Sequence, residues 1–286
     1  MFEIVKKELL APNIYLMDVM APRVARTALP GQFVIVRTHD KGERIPLTIC
    51  DYNANKGTVT IVTQVVGLSS RLIANLNEGD FILDFVGPLG QPSEFVHESE
   101  ESLINKKFLF IAGGLGTAPI YPQIAWLSAN NIKADVIIGA KNKELVILED
   151  EMQAVAGNVY ITTDDGSYGS KGIVTDMLKD LIDNQGKHYD EVIAIGPMIM
   201  MKFVSLATKP YKLKTIVSLN TLMVDGTGMC GACRVTVGGK TKFTCVDGPE
   251  FDGHLVDFDE ALRRQGMYRN QEQSKNCKCF DGISDN

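Results

Sequence analysis

The chain has no uninterrupted apolar run of the roughly 18 to 20 residues that a bilayer-spanning helix needs, so a membrane-embedded carrier is excluded. Its opening segment, MFEIVKKELLAPNIYL, carries acidic and basic residues where a secretion signal would place its apolar stretch. A cytoplasmic protein with no membrane partner is therefore expected. Positive charge is scarce as well: 29 lysines and arginines against 35 acidic residues give a net charge of −6. No basic face is left to neutralise a phosphate backbone, and nucleic acid is not an expected partner. Only four histidines occur, and no catalytic triad pattern stands out, so side-chain acid-base or nucleophilic chemistry is not indicated. Six cysteines in 286 residues fall far below the density of a disulfide-stapled fold.

What is present supports about two cored domains, since 45% of the residues are hydrophobic. Residues 1–98 read as short alternating strands. GTVTIVTQ, with period-two valine, isoleucine and threonine between turn residues, is the clearest of about six, and together they predict a small closed antiparallel barrel. The charged stretch ESEESLINK ends that texture. Over residues 104–219, continuous apolar strands such as KFLFIAG and ADVIIGA alternate with helical segments such as TAPIYPQIAWLSAN, ELVILEDEMQAVA and MIMMKFVSLA. This pattern predicts a parallel sheet covered on both faces. Residues 220–250 form a glycine- and cysteine-rich module, and residues 251–286 a polar tail in which DEALRRQGM holds one helix. There is no internal repeat.

The cysteines are unevenly placed. Only Cys50 lies outside the last quarter, and the others are Cys230, Cys233, Cys245, Cys277 and Cys279. The pattern Asp225-x4-Cys230-x2-Cys233-x11-Cys245 follows the plant-type spacing for a two-iron, two-sulfur site, with an aspartate in the first ligand position. Gly226, Gly228 and Gly231 let backbone amides approach the inorganic sulfides. A carboxylate oxygen is a harder donor than a thiolate, yet as an anion it ligates ferric iron. Two alternatives stand beside this reading. One is a tetrahedral structural zinc site on the same four residues. The other takes the fourth cluster ligand from Cys277 or Cys279.

A second signal is Gly113-Gly114-Leu115-Gly116-Thr117-Ala118-Pro119, which follows the strand KFLFIA and opens a helix. Glycines there permit a tight turn and close approach of a pyrophosphate to the helix N-terminus, although the spacing departs from G-x-G-x-x-G. The third signal lies in the barrel, where Arg44-Ile45-Pro46-Leu47-Thr48 is followed by Gly67-Leu68-Ser69-Ser70. The arginine suits a diphosphate, the threonine hydroxyl suits a flavin ring nitrogen, and the glycine and serines either cap a helix or hold phosphate.

In this order, the R-x-P-L-T barrel, the GGLGTAP domain carrying Gly196-Pro197-Met198, and the C-terminal cluster motif resemble the ferredoxin-reductase superfamily. Within it the chain resembles the electron-transfer subunits of type B dihydroorotate dehydrogenase. The string LMVDGTGMCGACRVTV and the segment Thr163 to Gly169 are similar to the small subunits of NADH-dependent ferredoxin:NADP oxidoreductases. The resemblance implies an FAD-binding barrel, an NAD(P)-binding α/β domain and a [2Fe-2S] module. It assigns flavin binding to Arg44, Pro46, Leu47, Thr48, Gly67, Ser69 and Ser70. Pyridine-nucleotide binding falls to Gly114, Gly116, Thr117, Gly196 and Pro197, and cluster ligation to Asp225, Cys230, Cys233 and Cys245. Relatives often carry arginine where Ile45 stands, and cysteine where Ile195 stands, so no thiol role is assigned there.

The implied activity passes electrons from NAD(H) through FAD and the cluster to a larger flavoprotein subunit that carries its own FAD and [4Fe-4S] clusters. In the resembling complex the joint reaction is electron bifurcation. Asp164 and Asp165, after the third parallel strand, favour NAD(H) over NADP(H) because they repel a 2′-phosphate, whereas Lys141 and Lys143 pull the other way. Two further readings stay open: the electron-transfer subunit of dihydroorotate dehydrogenase itself, and a non-catalytic redox sensor that holds a cluster without a nucleotide.

Overall fold

The computed structural model describes residues 1–267. Cys277 and Cys279 lie outside the described residues, so the alternative that takes a cluster ligand from them has no structural counterpart here. Among the described residues no helix is long and apolar enough to cross a membrane.

The N-terminal region is a nearly closed antiparallel barrel. Its seven strands are β1 (Phe2–Ala11), β2 (Ile14–Met20), β3 (Phe33–Arg37), β4 (Ile45–Asn53), β5 (Thr58–Gln64), β6 (Phe81–Ile82) and β7 (Asp84–Leu89), arranged β6-β1-β2-β5-β4-β3-β7. About six strands were expected; the seventh arises because the run FILDFVG divides at Leu83 into β6 and β7. GTVTIVTQ forms β5, paired antiparallel to both β2 and β4. Period-two alternation turns Val59 and Ile61 inward with Ile4, Met17, Val19, Val34 and Val36, so the barrel fills its own interior. Two helices, α1 (Pro22–Thr27) and α2 (Leu68–Asn75), close its ends, and Val24 and Ile73 join the same core.

A single helical turn, α3 (Glu100–Leu103), leads into the second region. Here β8 (Phe108–Gly113), β9 (Asp135–Ala140), β10 (Val159–Thr163), β12 (Glu191–Ile195) and β13 (Lys214–Ser218) run parallel, extended by the two-residue β11 (Ser170–Lys171) in the order β11-β10-β9-β8-β12-β13. Every residue of β8 is buried, as its uninterrupted apolar sequence requires. Alternate residues of this strand serve opposite faces. Phe108, Phe110 and Ala112 pack with Ile120, Ile124 and Leu127 of α4 (Thr117–Ala129) and Met152 of α5 (Glu149–Val155). Leu109 and Ile111 pack with Leu178 of α6 (Val174–Lys179) and with Met201 and Val204 of α7 (Met198–Thr208). The expected helix over ELVILEDEMQAVA is shorter than its sequence suggests, because Leu148, with φ +55°, sets the backbone in a left-handed turn and the helix begins after it.

The cysteine-rich module follows β13. It contains a two-stranded hairpin, β14 (Arg234–Val237) and β15 (Lys240–Phe243), and a single helical turn, α8 (Thr244–Asp247). The chain then returns to the large sheet as β16 (Glu250–Asp252), antiparallel to β13. This edge strand is absent from the sequence reading, since three residues carry no usable periodicity. Finally α9 (Phe258–Gln265) forms where DEALRRQGM placed a helix, capped by the Asp257 carboxylate, which accepts from the Glu260 amide at 2.9 Å.

Candidate functional site

A cleft of about 990 Å³ lies between the barrel and the parallel sheet. One wall is barrel: Pro46, Leu47 and Thr48 of β4, with Ile14, Phe33 and Val62. The other wall is built from the carboxyl ends of the parallel strands, where ligands of open α/β sheets bind. Gly113 to Gly116 lie at and beyond the end of β8, Ala140 and Lys141 at that of β9, Thr162 and Asp164 at that of β10, Ile195 to Pro197 at that of β12, and Ser218 to Thr221 at that of β13.

The glycines of this wall answer to space. A Cβ on Gly116 would lie 2.0 Å from the carbonyl oxygen of Ile195, and one on Gly196 would lie 3.0 Å from the Gly113 backbone. The two strand-end turns therefore touch backbone to backbone. Gly114 differs: its φ is +54° and nothing stands within 4 Å of where a Cβ would be, so it faces open space at the head of α4. Thr117, fully buried, donates from Oγ1 to the Gly114 carbonyl at 2.9 Å and ties the turn rather than lining the cleft. Thr162, 2% exposed, presents a buried Oγ1 with no partner, and the Thr221 Oγ1 is likewise buried and unpartnered. Buried hydroxyls of this kind are costly unless something else bonds them, so both cleft atoms suit a polar ligand.

Several expected residues take other positions. Arg44 lies outside the cleft lining; its guanidinium donates to the carbonyls of Val224 at 3.2 Å and Asp225 at 3.3 Å, and so fastens the barrel to the cysteine loop. Ser69 donates to Glu43 Oε2 at 2.6 Å. Ser70 Oγ accepts from the amides of Val66 and Gly67 at 2.9 and 3.0 Å, which makes it a helix cap at Gly67. Asp165 accepts from the Ser167 amide, and the Ser167 hydroxyl and amide hold its carboxyl below the usual range. Lys143 stacks over the Tyr168 ring at 5.1 Å, while Lys141 joins Asp164 in the cleft.

The cysteine loop starts where the cleft ends. Gly226, Gly228 and Gly231 all have positive φ, at +83°, +86° and +66°. A Cβ on Gly226 would meet Ile35 of the barrel at 2.8 Å, so only glycine lets the loop press this close. Cys233 and Cys245 are 1% exposed, with sulfurs 3.3 Å apart. Cys245 follows β15 on the single turn α8, anchored by Thr244, whose hydroxyl donates to the Cys233 carbonyl at 3.0 Å.

Burial and the Cys233 thiol push the Cys245 thiol up to about 12. Cys230 is exposed, and the amides of Ala232 and Asp225 lower its thiol below the ordinary value. Asp225 is half-buried; the hydroxyl and amide of Thr227 depress its carboxyl, and Arg44 adds to the effect. The four residues thus fall into a buried cysteine pair and an outer pair of Asp225 and Cys230. Among the described residues, no three histidine, cysteine or carboxylate side chains converge on one point.

Residues 220–257 match the iron-sulfur cluster binding domain of dihydroorotate dehydrogenase B, and residues 110–206 match the oxidoreductase NAD-binding domain. A Thermotoga maritima homologue of the dihydroorotate dehydrogenase B (NAD(+)) electron transfer subunit is 45% identical, over 95% of this chain and 93% of its own length. The chain belongs to this family of electron-transfer subunits. An uncharacterized protein from the adh 3′ region of Clostridium beijerinckii is 59% identical over 99% of this chain and 95% of its own. Among solved structures, the NADH-dependent reduced ferredoxin-NADP oxidoreductase, described for flavin-based electron bifurcation, superposes with a TM-score of 0.89 at 42% identity, covering 97% of both chains. The protein is accordingly an electron-transfer subunit of an oxidoreductase, with an NAD-binding domain and an iron-sulfur binding domain.

For this electron-transfer subunit, sequence reasoning missed Phe33, Ser218 to Thr221, Met223, Pro249 and Gln265 in the cleft wall. One signal was available for part of the set: Ser218 to Thr221 lie at the end of the last parallel strand and just beyond it, where the strand-end rule places ligand contacts.

Proposed function

We propose that this subunit takes electrons from NADH through FAD in the cleft and passes them singly, by way of a [2Fe-2S] cluster, to a larger flavoprotein partner in the cytoplasm. In this reading residues 1–98 hold FAD, residues 104–219 hold NAD(H), and residues 220–250 hold the cluster. The partner carries its own FAD and [4Fe-4S] clusters, and the assembly bifurcates electrons as the structurally similar oxidoreductase does. The observation that carries the reading is continuity: the strand-end wall of the cleft runs on through Ser218 to Thr221 and Met223 to the cysteine loop that begins at Asp225.

When bound, FAD exchanges two electrons with a nicotinamide and one at a time with iron, which supplies the conversion between the two kinds of carrier. The chain positions these groups. Pro46 and Leu47 offer an apolar seat and Thr48 a hydroxyl for the flavin edge. Gly114 leaves room for a pyrophosphate at the head of α4, where the free amides favour an anion. Gly116, Gly196 and Pro197 bring two strand ends together at the cleft and would hold the nicotinamide end of the nucleotide. Asp164 accepts from a ribose diol and repels a 2′-phosphate, which selects NAD(H). Asp225, Cys230, Cys233 and Cys245 would hold the cluster, as carboxylate and thiolates. The depressed ionisation of Asp225 and Cys230 suits that role.

Anaerobic purification followed by a visible spectrum, metal, sulfide and flavin analysis tests the proposal. Flavin bands with iron and sulfide in equal amounts are expected, and zinc in place of iron rejects the cluster. Diaphorase activity with NADPH equal to that with NADH rejects the nucleotide assignment. The family match at residues 220–257 favours one other reading, the electron-transfer subunit of a dihydroorotate dehydrogenase; co-purification with an FMN-containing barrel protein selects it.

A further inference from the structure

Phe33 and Met223 each belong to two places. Both line the cleft. Both are also buried, at 3% and 5% exposure, in the small core that contains Cys233 and Cys245. The wall between the cleft and the buried cysteine pair is therefore a shared layer of side chains, completed by Ile35 and packed against Leu89, Phe243 and Val246. The opposite side of the loop has another character. Cys230 is exposed there, flanked by Met229 at 89% and Val224 at 50% exposure. The loop thus buries one cysteine pair against the cleft wall and leaves Cys230 exposed.

We propose that Met223, with Phe33, is the positioning contact that joins the cleft to the Cys233 and Cys245 end of the iron site, so that electrons arrive at this buried pair and leave from the Asp225 and Cys230 end. The inference rests on the reading of the cleft as a flavin site and the loop as a cluster site. In each step the reduced flavin loses one electron and one ferric iron gains it. No bond forms or breaks in the protein, any proton released by the flavin passes to water, and a one-electron redox centre of the partner flavoprotein reoxidises the iron. Electron transfer is faster through contiguous packed atoms than across a gap. An unbranched, polarizable methionine fills such a gap closely, and truncating it leaves its neighbours without contacts on one side.

The test follows the full-length holoprotein after anaerobic mixing with NADH, monitoring flavin and iron-sulfur bands separately, together with redox titrations of both groups. Met223→Ala is expected to slow the flavin-to-iron step severalfold, well beyond any change in flavin reduction by NADH and beyond what the titrated midpoints account for. Met223→Leu, a volume-conserving replacement, is expected to restore most of the rate. Should Met223→Ala fail to load iron, Phe33→Leu provides the same comparison from the other side of the contact. Met229→Glu, next to the exposed Cys230, is expected to leave the internal step unchanged and to slow delivery to the partner. Wild-type internal rates in both Met223→Ala and Phe33→Leu overturn the proposal, as does a slowed internal step in Met229→Glu. A wild-type chain without iron or flavin overturns the proposed function itself, a separate failure recognisable before any variant is made.

Discussion

The cysteine loop and the cleft are built in opposite ways. Asp225, Cys230 and Cys233 lie within nine residues of one another, and Cys245 comes back to them through one hairpin. Their spacing is a local property of the chain. The cleft collects residues from β2, β3, β4 and β5 of the barrel and from the ends of five parallel strands. No short motif contains it. A local loop concentrates its chemistry in a few side chains, whereas an assembled cleft spreads it over backbone turns that must stay in register. Damage to the two regions should therefore separate.

The sharpest test of that separation is Cys233→Ser. Loss of most of the iron, measured by metal analysis, is expected with flavin content retained; parallel loss of flavin would show that the two sites do not form independently. Gly116→Ala should do the reverse. Its methyl group meets the Ile195 carbonyl, so the strand-end turns must move apart, at a cost of about 1–3 kcal/mol read as a lowered Tm, with weaker NADH binding and normal iron.

A subtler test addresses the junction where the regions meet. Glu250 on β16 accepts from Ser93 Oγ beside the barrel and from Gln123 Nε2 of α4, both at 2.9 Å. Burial pushes its carboxyl from 4.5 up to about 7, against the lowering effect of those two hydrogen bonds, and Glu191 and Glu94 add to the rise. The unfolded chain loses this proton first as pH increases. Stability from this group is therefore full below about 4.3, the ordinary glutamate value, falls as pH climbs, and levels off above about 7. Glu250→Gln is expected to flatten the decline of Tm across that window, and an unchanged slope would remove Glu250 from the explanation. The smallest effect expected is that of Ser70→Ala. It strips the cap from α2 at about 1 kcal/mol and leaves iron and nucleotide binding unaltered.

The barrel and the parallel sheet were both legible in the sequence, and the reasons differ. β5 announced itself by alternation, because one face of each barrel strand is inside. β8 announced itself by the lack of alternation, because helices cover both its faces. Among candidate site residues, Gly114 and Gly116 came from turn chemistry and Gly196 and Pro197 from the family resemblance, and all four line the cleft with Pro46, Leu47, Thr48 and Asp164. Arg44 and Ser70 were read toward a ligand, yet in the fold one bonds loop carbonyls and the other caps a helix. The same polar groups suit either task, and only their neighbours decide between them. Phe33 and Met223 carried no signal at all, since an apolar residue beside a cleft has the same composition as one in any core.

The sequence alone determined the order of the three regions, the two strand periodicities, and a cysteine spacing threaded with glycines, which the loop uses at positive φ. The tertiary structure decided what those pieces share. It placed the end of β13 beside the barrel, drew β16 back onto the large sheet, and left one buried layer serving both the cleft wall and two cysteines. Such convergence depends on packing between segments distant along the chain, and packing is not periodic, so no local pattern in the residues records it.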